Sequence, residues 1–320
     1  MTAYVARRLA WVIVLLLLVS GVTFLVFYTL PTTDPAVLRA GIGANPERIE
    51  EIRAALQLDE AWYVQFWHFL MDLVLHFDLG YSYQTNTPVN DLIADRLPAT
   101  ISLAAGAAVL SLAAGIALGT LSAVRRGSLL DRLTMGGALV GVSAPVYWLG
   151  LVALYLFAKD IGVIGIFEGS GSYTGITEDP WLWFQSLLLP WIVLAISFTA
   201  IYARLLRGSM LEALGEDYVR TARAKGLRER RVVGRHALHG AITPLVSVAG
   251  VDIGVLLGGA VLTETVFNIP GIGLLAYDSI LAGDLPAIQG TVLLSGLFIV
   301  TANLVVDLAY AFIDPRVRYR

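Results

Sequence analysis

The sequence predicts an all-α protein, a polytopic membrane bundle of six transmembrane helices with its N- and C-termini in the cytosol. Hydrophobic residues fill 57% of the 320 positions and charged residues only 15%, whereas an average soluble domain has about 25% charged residues. Six apolar runs approach the length of about 20 residues that a membrane span requires. Basic residues are concentrated in alternate connections between these runs, which is typical of a multi-span protein.

The six predicted spans follow one another along the chain. The first, residues 11–30, follows Arg7 and Arg8 as a signal peptide would. It is long for a signal peptide and no small-x-small cleavage site follows, so we predict a retained helix. Pro145 and Pro190 lie inside two later spans and are expected to bend them, because proline removes a backbone donor. The other five spans are residues 100–124, 133–157, 182–206, 241–262 and 288–313.

The charge distribution predicts the orientation and hence the domain boundaries. With the N-terminus in the cytosol, most of the 22 Lys and Arg residues lie on the cytosolic side, as the positive-inside rule requires. We therefore assign residues 1–30 to a cytosolic N-terminus and first helix, and residues 31–98 to a structured external segment. A five-helix core, residues 99–313, contains a cytosolic loop at 207–240, and residues 314–320 form a cytosolic tail.

The external connections are predicted to be ordered. A helix is expected after Asn45-Pro46, and the apolar stretch 62–77 is short for a span, so we place it at the membrane interface. Acidic residues collect on this side, either as a solvated surface or as a docking face for an external partner. Pro270, Gly271 and Gly273 predict a turn, with a short helix at 274–281.

The most informative stretch is a charged, helix-compatible block between two apolar runs, residues 216–244. Such a long, basic connection favours an ordered docking surface for a soluble partner. Two short helices, 213–224 and 228–238, are predicted, with Gly226 permitting a sharp reversal between them. The predicted docking loop, which we call the coupling loop, comprises Glu216, Asp217, Arg220, Thr221, Ala222, Arg223, Ala224, Lys225, Gly226, Leu227 and Arg228.

The usual catalytic motifs are absent from the sequence. A phosphate-binding P-loop needs Gly-Lys before Ser or Thr, but Lys159 and Lys225 both follow Ala and are the chain's only lysines. The chain has no cysteine, which excludes disulfides and cysteine metal sites. His236 and His239 share a helix face without a nearby third ligand. We therefore predict no catalytic residue, no metal site, no cofactor on this chain and no nucleic-acid partner.

Three acidic residues lie in or near predicted spans, where a carboxylate is costly and usually turned inward. Asp252 lies beside a ladder of Gly250, Gly254 and Gly258 but off its face. It points to a pathway, to a neighbouring subunit, or to a structural hydroxyl or backbone partner. Glu264 is a second candidate pathway residue. Asp307 is expected to be structural.

Several segments, taken in order, resemble one family along nearly the whole chain. This chain is similar to the membrane permease subunits of the dipeptide/oligopeptide/nickel class of ABC importers. The resemblance is carried by Tyr4-Val-Ala-Arg-Arg-Leu9, Asp78-Leu-Gly-Tyr-Ser82, Arg96-Leu-Pro-Ala-Thr100, Tyr218-Val-Arg-Thr-Ala-Arg-Ala-Lys-Gly-Leu227, Glu264-Thr-Val-Phe267 with Pro270-Gly-Ile-Gly273, and Asn303-Leu-Val-Val-Asp-Leu-Ala-Tyr310 with Asp314-Pro-Arg316.

The resemblance implies a type I ABC importer permease fold in the cell (inner or plasma) membrane, working by alternating access. It implies four kinds of partner: a homologous second permease, two cytosolic ATPase domains that hold ATP and Mg²⁺, an external substrate-binding protein and membrane lipid. The coupling loop departs from the general importer pattern Glu-Ala-Ala-x3-Gly at Arg220 and Thr221. Asp252 stands where the resemblance leads us to expect a neutral polar residue.

Two other classes remain open on sequence grounds. An ion- or proton-coupled secondary transporter would use Asp252, Glu264 and Asp307 and would need no ATPase. A membrane enzyme would need an intramembrane carboxylate pair, for which no paired motif is present. An ATPase that co-purifies with the chain favours the importer, whereas ionophore-sensitive uptake without one favours the secondary transporter.

Overall fold

A computed structural model describes residues 2–26, 34–41, 43–55 and 58–313 of the chain. The chain divides into two compact units, each described by itself below. Unit 1 comprises Met1–Thr100, Leu257–Thr265 and Pro270–Arg320, and unit 2 comprises Ile101–Leu256 and Val266–Ile269.

The described residues are predominantly helical. The short helices α10 and α11 are joined by a wider π-helical turn, Val232–Ala237, and α4 continues into a similar turn, Asp72–His76. The helices are α1 (Thr2–Phe24), α2 (Pro35–Ala40), α3 (Pro46–Ala55), α4 (Trp62–Met71), α5 (Val89–Val124), α6 (Leu129–Ser143), α7 (Val146–Phe157), α8 (Pro180–Gly215), α9 (Asp217–Ala224), α10 (Glu229–Arg231), α11 (Leu238–Ala241), α12 (Thr243–Leu257), α13 (Val261–Phe267), α14 (Ile272–Ala282) and α15 (Leu285–Ile313).

Unit 1 is built around α15, against which α1 and α14 pack. Its core joins the start of α5 to α14 and α15. At Gly290 the helices approach so closely that an added Cβ would lie 2.7 Å from Val89 Cγ1. Asp284, immediately before α15, accepts hydrogen bonds from the Ser82 hydroxyl and from the Tyr83 backbone N–H at 3.0 Å. The residues that precede α5 are thereby fixed to the start of α15.

Unit 2 is built around α8, against which α6 and α7 pack. Small residues of α5 let it approach α8 closely. An added Cβ at Gly106 would overlap the Trp191 indole, at Gly115 it would lie 2.5 Å from Tyr202 Cβ, and at Gly119 it would lie 2.8 Å from the Ala203 carbonyl oxygen. Gly115 and Gly119 are four positions apart, a spacing of small residues that places both on the packed face of α5.

Among the described residues, three helices are long and apolar enough to cross a membrane: Val89–Val124, Pro180–Gly215 and Leu285–Val306. Three bent helix pairs bring the total to as many as six. These pairs are α6 with α7 (bent by 105°), Glu229–Ala241 with α12 (58°) and α13 with α14 (85°). Within α1, the stretch Ala10–Phe24 is apolar but shorter than the other spans.

Of the two prolines expected to bend a span, one follows a break between helices and the other lies within a continuous helix. The predicted span 133–157 is not one rod, because it breaks at Ala144, which is extended (φ −80°, ψ 126°), directly before Pro145. The residue before a proline disfavours helical angles, which explains the position of the break. Pro190 instead lies buried inside the unbroken α8.

One predicted helix is wrong, and two helices extend beyond their predicted spans. Helix α5 begins at Val89, inside the predicted external segment 31–98. Helix α8 continues beyond residue 206 to Gly215, and the predicted helix 213–224 is interrupted at Glu216, whose ψ is 151°. The predicted helix 274–281 is confirmed as α14. Residues 27–30 of the first predicted span and the tail 314–320 lie outside the described residues.

Candidate functional site

The coupling segment, which we define as residues 216–231, is held firmly on unit 2. Its inward side chains Val219 and Ala222 are buried, and Val232 follows as a third buried anchor. They belong to the same apolar cluster as Leu206, Met210 and Ala213 of α8. Since 206, 210 and 213 recur at helical spacing, one face of α8 forms the seat of the segment. The charged segment is therefore ordered by an apolar underside.

Gly226 reverses the chain between α9 and α10. Its φ is +75°, a left-handed value that glycine adopts without steric cost. The Gly226 N–H donates to the Arg223 carbonyl at 2.9 Å, and the Leu227 N–H donates to the Ala222 carbonyl at 3.4 Å. This pair of bonds is the Schellman ending of a helix. Leu227 turns back to the apolar cluster, so the predicted reversal at Gly226 is present.

An ion pair bridges the reversal. Arg223 at the end of α9 donates from Nη2 to Glu229 Oε1 at 2.7 Å and from Nε to Oε2 at 3.2 Å. The hydrogen bond from Arg223 lowers the pKa of the Glu229 carboxyl below its ordinary value. Both side chains are about half exposed, and an exposed pair contributes only about 0–1 kcal/mol. The pair selects a geometry more than it stabilises the fold.

The outer surface of the segment is polar and basic. On α9, the Thr221 hydroxyl donates to the Asp217 carbonyl at 2.9 Å, and Arg220 lies 3.5 Å from the Asp217 carboxylate. Of the predicted coupling residues, Ala222 is buried and Leu227 is half-buried. The others are exposed: Glu216, Asp217, Arg220, Thr221, Arg223, Ala224, Lys225, Gly226 and Arg228. The structure thus presents nine of these eleven residues on one compact outward surface.

Asp252 on α12 has a single described partner in unit 2. The Tyr202 hydroxyl of α8 donates to Asp252 Oδ2 at 3.0 Å. Tyr202 is buried, whereas Asp252 is half-buried. The predicted hydroxyl partner is therefore present, and part of the carboxylate surface is left for other contacts. The role of Asp252 in the pathway stays a prediction.

Glu264, the second candidate pathway residue, is turned towards partners inside unit 1, and its role in the pathway stays a prediction. Its side chain has no exposed surface. Oε1 accepts from the Thr100 hydroxyl at 2.9 Å, and Oε2 accepts from the Leu274 N–H at 2.9 Å. The Ile272 N–H in turn donates to Thr100 Oγ1 at 2.8 Å. Glu264 and Thr100 together satisfy backbone donors at the start of α14, which lack partners within that helix.

The two glycines of the predicted external turn, Gly271 and Gly273, pack closely against Glu264 and its surroundings. At Gly271 an added Cβ would lie 2.3 Å from Glu264 Oε2, and at Gly273 it would lie 2.7 Å from Val261 Cα. Gly271 is extended (φ −107°, ψ −176°) and Gly273 lies in the first turn of α14. Both glycines are explained by close approach and not by a positive φ. Pro270, which is half-buried, directly precedes them.

An ion pair in unit 2 between a buried aspartate and a partly exposed arginine was not predicted from the sequence. Arg207 of α8 donates to Asp131 at the start of α6, from Nε to Oδ1 at 2.7 Å and from Nη2 to Oδ2 at 2.9 Å. Only 7% of the Asp131 side chain is exposed. The two residues are 76 positions apart, so no local pattern links them. The one available signal was an acidic residue inside an otherwise basic connection.

Two sequence models of protein families match this chain, and between them they cover nearly all of it. One, described as binding-protein-dependent transport system inner membrane component, matches residues 115–319. The other, described as binding-protein-dependent transport system membrane component, N-terminal, matches residues 1–104. The first match includes the whole coupling segment.

Similarity to individual proteins also runs from end to end. A putative peptide transport system permease protein of Brucella abortus (strain 2308) is 42% identical over 319 residues, covering 100% of both chains. A probable peptide ABC transporter permease protein of Sinorhizobium fredii (strain NBRC 101917 / NGR234) is 41% identical over 320 residues, again with 100% of both covered. The dipeptide transport system permease protein DppB of Escherichia coli (strain K12) is 37% identical over 340 residues and 100% of both chains.

Proposed function

The chain belongs to the family of binding-protein-dependent transport system inner membrane components, and from that premise we propose that it forms half of the translocation pathway for peptides in an ATP-driven importer. It is a multi-pass protein of the inner membrane and a transport subunit, not an enzyme. The observation that carries the peptide assignment is end-to-end similarity to permeases named for peptide and dipeptide transport.

Importer permeases of this family work with an ATPase and with a substrate-binding protein. For this chain we propose a homologous second permease, two cytosolic ATPase domains and one external binding protein. ATP and Mg²⁺ would be held by the ATPase domains, because this sequence has no P-loop lysine. The excess of Lys and Arg at the coupling segment supports its placement in the cytosol, with both termini on the same side.

We propose that the coupling segment transmits the closure of the ATPase domains to the spans by alternating access. A segment can pass on a displacement only if it is ordered, and the buried anchors Val219, Ala222 and Val232 support that requirement. The shape around Gly226 supplies a compact projection for the partner. Because the surrounding arginines are exposed, single charges contribute less than this shape.

The test is transport by a defined complex. The chain is co-expressed with candidate permease, ATPase and binding-protein subunits, and the purified complex is reconstituted into liposomes. We expect ATP-dependent uptake of a labelled dipeptide that is lost when the P-loop lysine of the ATPase subunit is replaced. Uptake by this chain alone that needs no ATPase and collapses with an ionophore would instead establish the secondary transporter.

A further inference from the structure

The ion pair between the buried Asp131 and the partly exposed Arg207 connects several elements of unit 2. Asp131 contacts three separate elements. The Ser122 hydroxyl near the end of α5 donates to Oδ1, and the Gly127 N–H in the connection to α6 donates to Oδ2 at 2.8 Å. Arg207 of α8 donates to both carboxylate oxygens. One carboxylate therefore joins the end of α5, the start of α6 and the second half of α8.

The local structure holds Asp131 in this position. Ser128 precedes α6 and caps it, since its hydroxyl accepts from the Asp131 N–H at 3.3 Å. Gly127 turns the chain with φ +79°. An acidic residue in the first helical turn is favoured by the helix dipole. The carboxylate is thus directed at α8 before Arg207 reaches it, and the planar guanidinium matches it with two parallel bonds.

Arg207 lies on α8 beside the seat of the coupling segment. Its neighbour Leu206 and the next-turn residue Met210 are fully buried in the cluster that also holds Val219 and Val232. One side of α8 thus packs against the coupling segment, and Arg207 on the adjacent side binds Asp131 at the start of α6. Any displacement of α8 imposed by the segment acts directly on the Asp131 contacts.

We propose that Asp131 and Arg207 are positioning residues for coupling, which make the coupling segment and the start of α6 move as one body during the transport cycle. The inference rests on the proposed function, because ATP-driven closure supplies the movement. The contact that would transmit this movement is the bidentate pair between Asp131 and Arg207. Helix α6 is also the first arm of the span that bends by 105° before α7. The pair therefore links the docking surface to one arm of a broken span.

A suitable choice of substitutions separates the proposed coupling role of the pair from its contribution to stability. Removing one partner leaves a buried charge unpaired and is destabilising, whereas replacing both by apolar residues of similar volume is often neutral or stabilising. The informative variant is therefore the double replacement Asp131→Asn with Arg207→Met, which removes both charges together, while the asparagine amide can still accept from the Gly127 N–H and hydrogen-bond the Ser122 hydroxyl. Arg207→Lys keeps the charge and loses the bidentate geometry. Arg204→Gln is the matched control, because Arg204 is an exposed arginine of the same helix.

The first measurement compares uptake with ATP hydrolysis in the reconstituted complex. We expect the double variant to assemble with normal yield and hydrolyse ATP, while transport per ATP falls about fivefold or more, the lower range of typical coupling between sites. Arg207→Lys should lie in between and Arg204→Gln should match the wild type. A double variant that transports with the wild-type ratio, or that fails to assemble, overturns the proposal.

The second measurement does not depend on the solute. The chain has no cysteine, so spin labels at Lys225→Cys in the coupling segment and Leu133→Cys on α6 report a clean distance. We expect that distance to stay unchanged on ATP binding in the wild type and to shift or broaden in the double variant, even without nucleotide. Equal distributions in both proteins, or a large ATP-driven change in the wild type, contradict the inference. Loss of ATP-dependent uptake by the wild-type complex would instead defeat only the proposed function.

Discussion

At the scale of single residues, Asp252 is the charged group that we predict to meet the transported solute. Its carboxylate is half-buried and accepts one hydrogen bond from Tyr202. Asp252→Asn retains an oxygen that accepts this bond but removes the charge. If Asp252 contacts a cationic group of the peptide, uptake falls about tenfold or more, since a hydrogen bond to a charged group contributes about 1.5–3 kcal/mol. Uptake is measured with the yield of intact complex.

Tyr202→Phe provides the structural comparison for this prediction. It removes the hydroxyl that donates to Asp252 and leaves the ring packed on Gly115. If Asp252 has only a structural role, either substitution should lower the yield of intact complex and have little effect on uptake per complex. Wild-type uptake by an intact Asp252→Asn complex would remove Asp252 from the pathway.

Glu264 is predicted to stabilise the fold. Its carboxylate receives the Thr100 hydroxyl and the Leu274 N–H inside unit 1. Glu264→Ala leaves these two buried donors without their acceptor, and each such loss costs about 1–3 kcal/mol. We expect a clear fall in the thermal midpoint of the purified protein, followed by circular dichroism. Asp278→Asn, an exposed change on α14, should leave the midpoint unchanged, and an equal fall in both variants would contradict the assignment.

At the scale of elements, the reversal at Gly226 predicts how the coupling segment fails. An added Cβ at Gly226 would meet no atom within 4 Å, yet the residue has φ +75°. Substitution is therefore opposed by backbone strain alone, about 1–2 kcal/mol for an ordinary residue in the left-handed region and more for a β-branched one. Gly226→Val should block uptake while the spans stay folded and inserted.

The matched variant at this position is Gly226→Asn, because asparagine tolerates left-handed angles. We expect it to transport nearly normally, and we expect Arg228→Ala and Arg230→Ala to have mild effects, since exposed charges contribute little. Normal transport by Gly226→Val, together with loss of transport in a single arginine variant, would show that charge and not shape carries the coupling.

The same elements show how far the sequence could predict this structure. Apolar length and the glycine spacing are local properties, so the long spans, the close approach at Gly115 and the turn at Gly226 were predictable. The partners of Glu264 and Asp131 were not, because Thr100 is 164 positions from Glu264 and Arg207 is 76 from Asp131. Only folding brings such residues together. The end of α8 was misjudged because its last turns pack on the coupling segment and need no membrane around them.

At the scale of the whole molecule, we expect ATP to be hydrolysed by the partner ATPase subunits and not by this chain. The sequence holds no P-loop, and its two lysines, Lys159 and Lys225, follow alanines. A phosphate cradle needs a lysine after glycine and backbone N–H groups turned towards the phosphates. Lys159 lies instead beside Glu168, and Lys225 directly follows the last residue of α9. Neither lysine stands in such a loop.

The isolated chain is therefore predicted not to hydrolyse ATP, whereas the assembled complex should do so and should be stimulated by its loaded binding protein. Phosphate release is measured for the purified chain, for the ATPase subunits alone and for the complex in liposomes. A preparation whose activity disappears when the P-loop lysine of the ATPase subunit is replaced supports the division. Activity that stays with the purified chain after every ATPase subunit has been removed would place nucleotide chemistry on this chain and overturn its assignment as a pure transport subunit.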